Sequence, residues 1–148
     1  MATRTARHRR VAMVTKNDLL ALLNDDFARE CRSIYAHAVF AERLRDADPE
    51  ASEAIEHRGK QEVVAALALC QMIYDYGGTV GKPGDELNFV LNADRVADPK
   101  WAAETVRRLR QRIAQLRMAG EPGLAKRLRR LVAAKRAAPS LATLLGEE

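Results

Sequence analysis

Residues 20–44 read LALLNDDFARECRSIYAHAVFAERL, and residues 55–76 read IEHRGKQEVVAALALCQMIYDY. Apolar positions recur in both at steps of three and four, the spacing of one face of an α-helix. The first stripe is Leu20, Leu23, Phe27, Glu30, Ile34, His37, Ala41, Leu44, and the second is Ile55, Gly59, Glu62, Ala66, Leu69, Ile73, Tyr76. Each carries a glutamate where a leucine belongs. A leucine at either place would contribute roughly 1.5–3 kcal/mol by burial, whereas an unpaired carboxylate in the same place costs several kcal/mol. Glu30 and Glu62 therefore need a metal ion, a Lys or an Arg, or else they are traces of an ancestral site.

Working outward, punctuation divides the chain into four helices. Thr15 with Asp18 three residues on forms a capping box for a helix that runs to about Asp46. Asp48 and Pro49 open a second, which Gly77 and Gly78 close. Each exceeds 25 residues and is roughly 40 Å long, and the short turn between them makes an antiparallel hairpin. Asp98 and Pro99 open a third helix with the stripe Ala102, Val106, Leu109, Ile113, Leu116, ended by Gly120. Pro122 opens a fourth with Leu124, Leu128, Leu131, Lys135, Ala138, which Pro139 breaks. The expectation is an all-α, four-helix bundle over residues 17–138, its two hairpins joined by a crossover over about 77–98 in which Leu87 to Leu91 packs on the outside. Residues 1–16 form a basic arm and 139–148 a C-terminal tail.

The formal net charge of +5 hides a division. Residues 1–16 hold five cations and no acid, residues 17–100 are acidic by seven, and residues 101–148 are basic by seven. The simplest reading is an acidic helix pair packed on a basic one, with a nucleic-acid surface as the alternative. Cys31 and Cys70 both fall inside helices and form no metal-knuckle spacing, so they read as reduced thiols of a cytoplasmic protein. No apolar run reaches the roughly 18 residues that span a bilayer, so no membrane partner is expected. The arm MATRTARHRRVAMVTK lacks aromatics, so any nucleic-acid binding through it is sequence-independent and salt-sensitive; its other readings are a solubilising arm or a transit-like leader.

Other patterns carry less. His57 near Glu53 and Glu56 reads as a solvated helix face. Trp101, just past a cap, reads as a core or subunit-contact anchor, and Cys31 as a packed thiol. No nucleophile triad and no phosphate-binding glycine loop is present.

The chain resembles the ferritin superfamily, and bacterioferritin most. LNDDFARECRSI, residues 23–34, is similar to that family's first-helix signature, with its metal-binding Glu on Glu30. QEVVAALALCQMIYDYGG, residues 61–78, is similar to its second helix, with the bridging Glu on Glu62, and IAQLRMAGEPGLAKRL, residues 113–128, to the turn between its last two helices. A di-metal site of this kind takes one Glu from each of two helices and a Glu-x-x-His from each of the others. Carried over residue by residue, Glu30 and Glu62 match, but the remaining ligand positions fall on Ala65, Ala102, Lys135 and Ala138. The haem-binding methionine falls on Val63, so the resemblance implies no haem.

Lys135 is the informative departure, because an ammonium in that stripe replaces the charge of a metal. The expected site is an internal polar network of Glu30, Glu62 and Lys135, with His37 as a further donor; the alternative lets Lys135 snorkel to solvent. The expected function is a bundle that has lost ferroxidase chemistry and serves as a structural or assembly component, as a homo-oligomer or beside related subunits, with no cofactor. Two alternatives stand beside it. Iron is retained on Glu30 and Glu62 with His37, or the basic arm and Arg-rich helices bind DNA without sequence preference.

Overall fold

A computed structural model describes residues 14–81 and 93–146. Within them the chain forms helices α1 (Lys16–Leu44), α2 (Pro49–Asp75), α3 (Ala93–Val96), α4 (Pro99–Met118), α5 (Pro122–Ala137) and α6 (Leu141–Leu144), and no strand. The starts follow from their caps. Thr15 accepts from the Asp18 amide at 3.1 Å while Asp18 accepts from the Thr15 amide at 3.3 Å. Asp48 accepts from the Ala51 amide and Asp98 from that of Lys100, each ahead of a first-turn proline. Past α2, Gly77 takes φ +91°, which lets the Gly78 amide reach back to the Ile73 carbonyl at 2.9 Å.

The long helices pack antiparallel in the pairs α1–α2, α1–α4, α2–α5 and α4–α5. Ser52 Oγ donates to the Ala41 carbonyl at the tight end of the α1–α2 hairpin. Asp26 meets Arg112 while Arg29 meets Thr105, so α4 runs against α1. Asp75 meets Arg127 while Glu62 meets Lys135, so α5 runs against α2. At one end Leu19, Leu23, Leu69, Ile73, Leu109, Leu116 and Leu128 form the larger apolar cluster. At the other a smaller cluster gathers Ala36, Ile55, Val96 and Leu141.

Two differences from the sequence reading concern the ends of this arrangement. The stretch after Pro139 does not trail off as a tail: Ser140 caps α6, and Leu141 and Ala142 are buried against the smaller cluster. Four residues of helix are too few to show a periodicity, so only their apolar character marks them. The crossover likewise ends in helix α3, whose Ala93 and Val96 are buried there. The arm before residue 14 and the segment Leu87 to Leu91 lie outside the described residues.

No helix among the described residues is long and apolar enough to cross a membrane.

Candidate functional site

Between the two apolar clusters lies a polar layer. Along α1 the buried residues include Asp26, Glu30, Ser33 and His37, at steps of four, three and four, so one column of the helix is polar for more than two turns. The apolar column beside it, Leu20, Phe27 and Ile34, is only partly buried. On α2 all seven positions of the expected stripe are buried, Glu62 among them.

The structure brings Glu30, Glu62 and Lys135 together. Lys135 Nζ lies 2.5 Å from Glu30 Oε1 and 2.8 Å from Glu62 Oε2, with all three side chains at most 8% exposed. Arg58, one turn before Glu62 on α2, completes the group: its Nη2 lies 2.6 Å from Glu62 Oε1. Its Nε donates to the carbonyl of Pro139 at 3.0 Å, a carbonyl that the break in α5 leaves free. Glu62 thus has a cation on each oxygen, whereas Glu30 has one on a single oxygen and its Oε2 faces no donor.

That asymmetry sets the protonation. Burial raises the Glu30 carboxyl well above its ordinary value, and the neighbouring Glu62 carboxylate adds to this more than Lys135 offsets. The proton held on Glu30 is shared with Glu62. Burial acts against ionisation of Glu62 as well, but the hydrogen bond with Glu30 and the charges of Lys135 and Arg58 outweigh it and hold its pKa at about 2. His37 is kept neutral chiefly by burial. Its Nδ1 lies 2.6 Å from the Ser33 carbonyl, which only accepts, so Nδ1 carries the hydrogen and Nε2 is a bare lone pair. His37 therefore bonds its own helix rather than the Glu30–Lys135–Glu62 group; where the sequence reading offered it as a donor, the ring's remaining nitrogen is an acceptor.

Five buried polar residues were not among the sequence candidates: Asp26, Ser33, Ser52, Arg58 and Arg112. Arg112 Nε lies 2.9 Å from Asp26 Oδ2, both almost wholly buried, and burial lifts the Asp26 pKa to about 6 in spite of Arg112. Arg58 left a readable signal, since it stands four residues before Glu62 on one helix. Asp26 and Arg112 left none, being partners 86 residues apart. Trp101 packs in the smaller cluster, with the Arg29 guanidinium 3.8 Å over its ring. His57 is exposed, and Cys31 and Cys70 are half-buried free thiols.

The donor set does not suit a divalent metal. Three of the four carboxylate oxygens of Glu30 and Glu62 already face Lys135 or Arg58, and no three His, Cys, Asp or Glu side chains among the described residues gather in a way that could hold an ion. Iron ligation by Glu30, Glu62 and His37 would require displacing Lys135 and reversing the charge of the layer.

No protein-family model matches the chain, and no curated protein or solved structure matches it.

Proposed function

We propose that this chain is a ferritin-like four-helix bundle, α1–α2 and α4–α5 being its hairpins, in which Lys135 stands in charge for a di-metal centre and which serves as a non-catalytic structural or assembly component. The observation that carries the reading is the placement of Lys135 Nζ within 2.8 Å of both Glu30 and Glu62. A buried ammonium between two carboxylates does for charge what a metal would do, without redox chemistry, and it fixes the register of the helices that supply it. The surrounding guanidinium groups of Arg58 and Arg29 support the same reading, because they add positive charge to the layer and offer no lone pair to a metal.

The test is elemental analysis after anaerobic incubation with ferrous iron, with Glu30→Ala/Glu62→Ala as control, alongside light scattering for the assembly state. Iron well below one per chain together with a defined oligomer is the expected result. About one or two irons per chain, lost in the double variant, would restore a ferritin-type metal site and overturn the reading.

One observation favours a second reading as a nucleic-acid binder. Arg110, Arg117, Arg129 and Arg136 line a groove between α4 and α5 over a floor of Ile113, Ala114, Val132 and Ala133, with no carboxylate on its walls. Four phosphate contacts there give a slope of about −3.6 in a log–log plot of duplex affinity against salt. Gel retardation that is absent at low salt removes this reading.

A further inference from the structure

Of the four buried polar side-chain atoms that lack a partner among the described residues, three gather in one place and the fourth, Asp26 Oδ1, lies apart. Arg29 Nε, Glu30 Oε2 and His37 Nε2 are such atoms, and all three residues line one cavity of about 50 Å³ enclosed by α1, α2, α4 and the end of α5. Leaving a buried donor or acceptor unmade costs roughly 1–3 kcal/mol, so three around one space mark it as built to be filled. The volume holds roughly three to five water-sized atoms.

The lining chemistry narrows what fills it. Arg29, Arg58 and Lys135 face Glu30 and Glu62 across the space, so even with both carboxylates ionised the walls keep an excess positive charge. Arg29 has only uncharged direct contacts among the described residues: Thr105 Oγ1 at 2.9 Å, the Trp101 carbonyl at 3.4 Å and the Trp101 ring. Water can satisfy the orphan atoms, whereas an anion would also neutralise that charge. The orphans themselves are mixed, Arg29 Nε donating and His37 Nε2 accepting, so the occupant must both accept and donate. Arg29 and Trp101 also line a surface depression with Arg95, Lys100, Asp98 and Glu104, which makes their stacked pair the wall between cavity and solvent.

We propose that this cavity is a binding site for a small planar oxyanion that carries its own hydrogen-bond donor, hydrogencarbonate being the member of the right size. Its oxygens accept from Arg29 and its hydroxyl donates to His37 Nε2. The inference needs only the cavity and its walls, and stands whether or not the bundle acts in assembly.

The experiment uses the full chain with ¹³C-hydrogencarbonate at constant ionic strength, read by NMR line broadening and by thermal shift, with formate as the anion lacking the hydroxyl. Hydrogencarbonate should bind saturably and formate at least about tenfold more weakly, the loss of one good hydrogen bond. Arg29→Gln should weaken hydrogencarbonate by about tenfold or more. Ala102 bounds the cavity and belongs to no ion pair, so Ala102→Leu fills the space with every charge retained and should abolish binding; it decides the matter if Arg29→Gln fails to fold. Absence of saturable binding by the wild type, equal affinity for formate, or binding unchanged in Ala102→Leu each overturns the proposal.

Discussion

Replacing Lys135 by methionine tests whether the polar layer is an interior ion cluster. The substitution keeps the length and apolar stem of the side chain and removes only the ammonium that lies 2.5 Å from Glu30 and 2.8 Å from Glu62. Glu62 keeps Arg58, so the penalty falls on Glu30, which is 1% exposed and has no other cation in direct contact. At a pH high enough to ionise Glu30, removing its partner costs about 3–5 kcal/mol, which for a chain of this size lowers the Tm by roughly 6–20 °C. The cost depends on pH in a stated direction. Lys135 is what lowers the Glu30 pKa, so without it the folded-state value climbs further, and stability present in acid is lost as pH rises through that value. Urea unfolding at several pH values, with the m-value as a check on the unfolded state, measures both effects. Adding Glu30→Leu to Lys135→Met leaves the Arg58–Glu62 pair balanced and should return stability to within about 1 kcal/mol of wild type or better. A pH-independent loss below about 1 kcal/mol, the value of a surface ion pair, would refute the argument and mean that Lys135 reaches solvent.

Two further outcomes follow from other parts of the interior. Asp26 titrates near 6 in the folded chain against an ordinary 3.8, so it binds its proton more tightly when folded, and up to about 3 kcal/mol present below pH 4 is lost as pH rises through 6. Asp26→Asn should flatten that limb of a Tm–pH curve, while the opposite limb, set by Glu62 and lost on acidification from 4.5 toward 2, stays in place. Leu141→Ala, at a residue 3% exposed in α6, should cost about 2–5 kcal/mol in denaturant unfolding, whereas a true tail would show no change.

How much of this was legible depended on where each partner sits in the chain. The α2 stripe was readable at all seven positions because its spacing of three and four runs unbroken from Ile55 to Tyr76, even though Val63, Val64, Leu67 and Tyr74 stay exposed on the other faces. Gly59 itself has a local reason, since a Cβ there would come within 3.1 Å of the His37 Cβ. On α1 apolar residues fill one column while the neighbouring column holds Leu19, Leu23, Asp26, Glu30, Ser33 and His37. The structure buries the second, because Arg112 and Lys135 arrive from distant helices to partner it. The expected stripe draws on both columns, taking Leu23, Glu30 and His37 from the buried one and Leu20, Phe27 and Ile34 from the partly buried one. Lys135 was found by its step of four from Leu131, but nothing local pointed to Arg112.

The division of charge along the sequence takes physical form at this junction. In every ion pair among the described residues that joins α1 or α2 to α4 or α5, the acid belongs to the first hairpin and the base to the second: Asp26 with Arg112, Glu30 and Glu62 with Lys135, Asp75 with Arg127. Only the last is exposed enough to be worth little. The buried ones need not add stability over leucine, since well-packed apolar replacements of such groups are often neutral or better. They act instead on the alternatives. Sliding one hairpin along the other by a helical turn, about 5.4 Å, preserves much apolar contact but strands Asp26, Glu30, Arg112 and Lys135 in the interior, Glu62 alone keeping its Arg58. The polar layer thus makes the wrong registers costly while leaving the right one nearly unaffected.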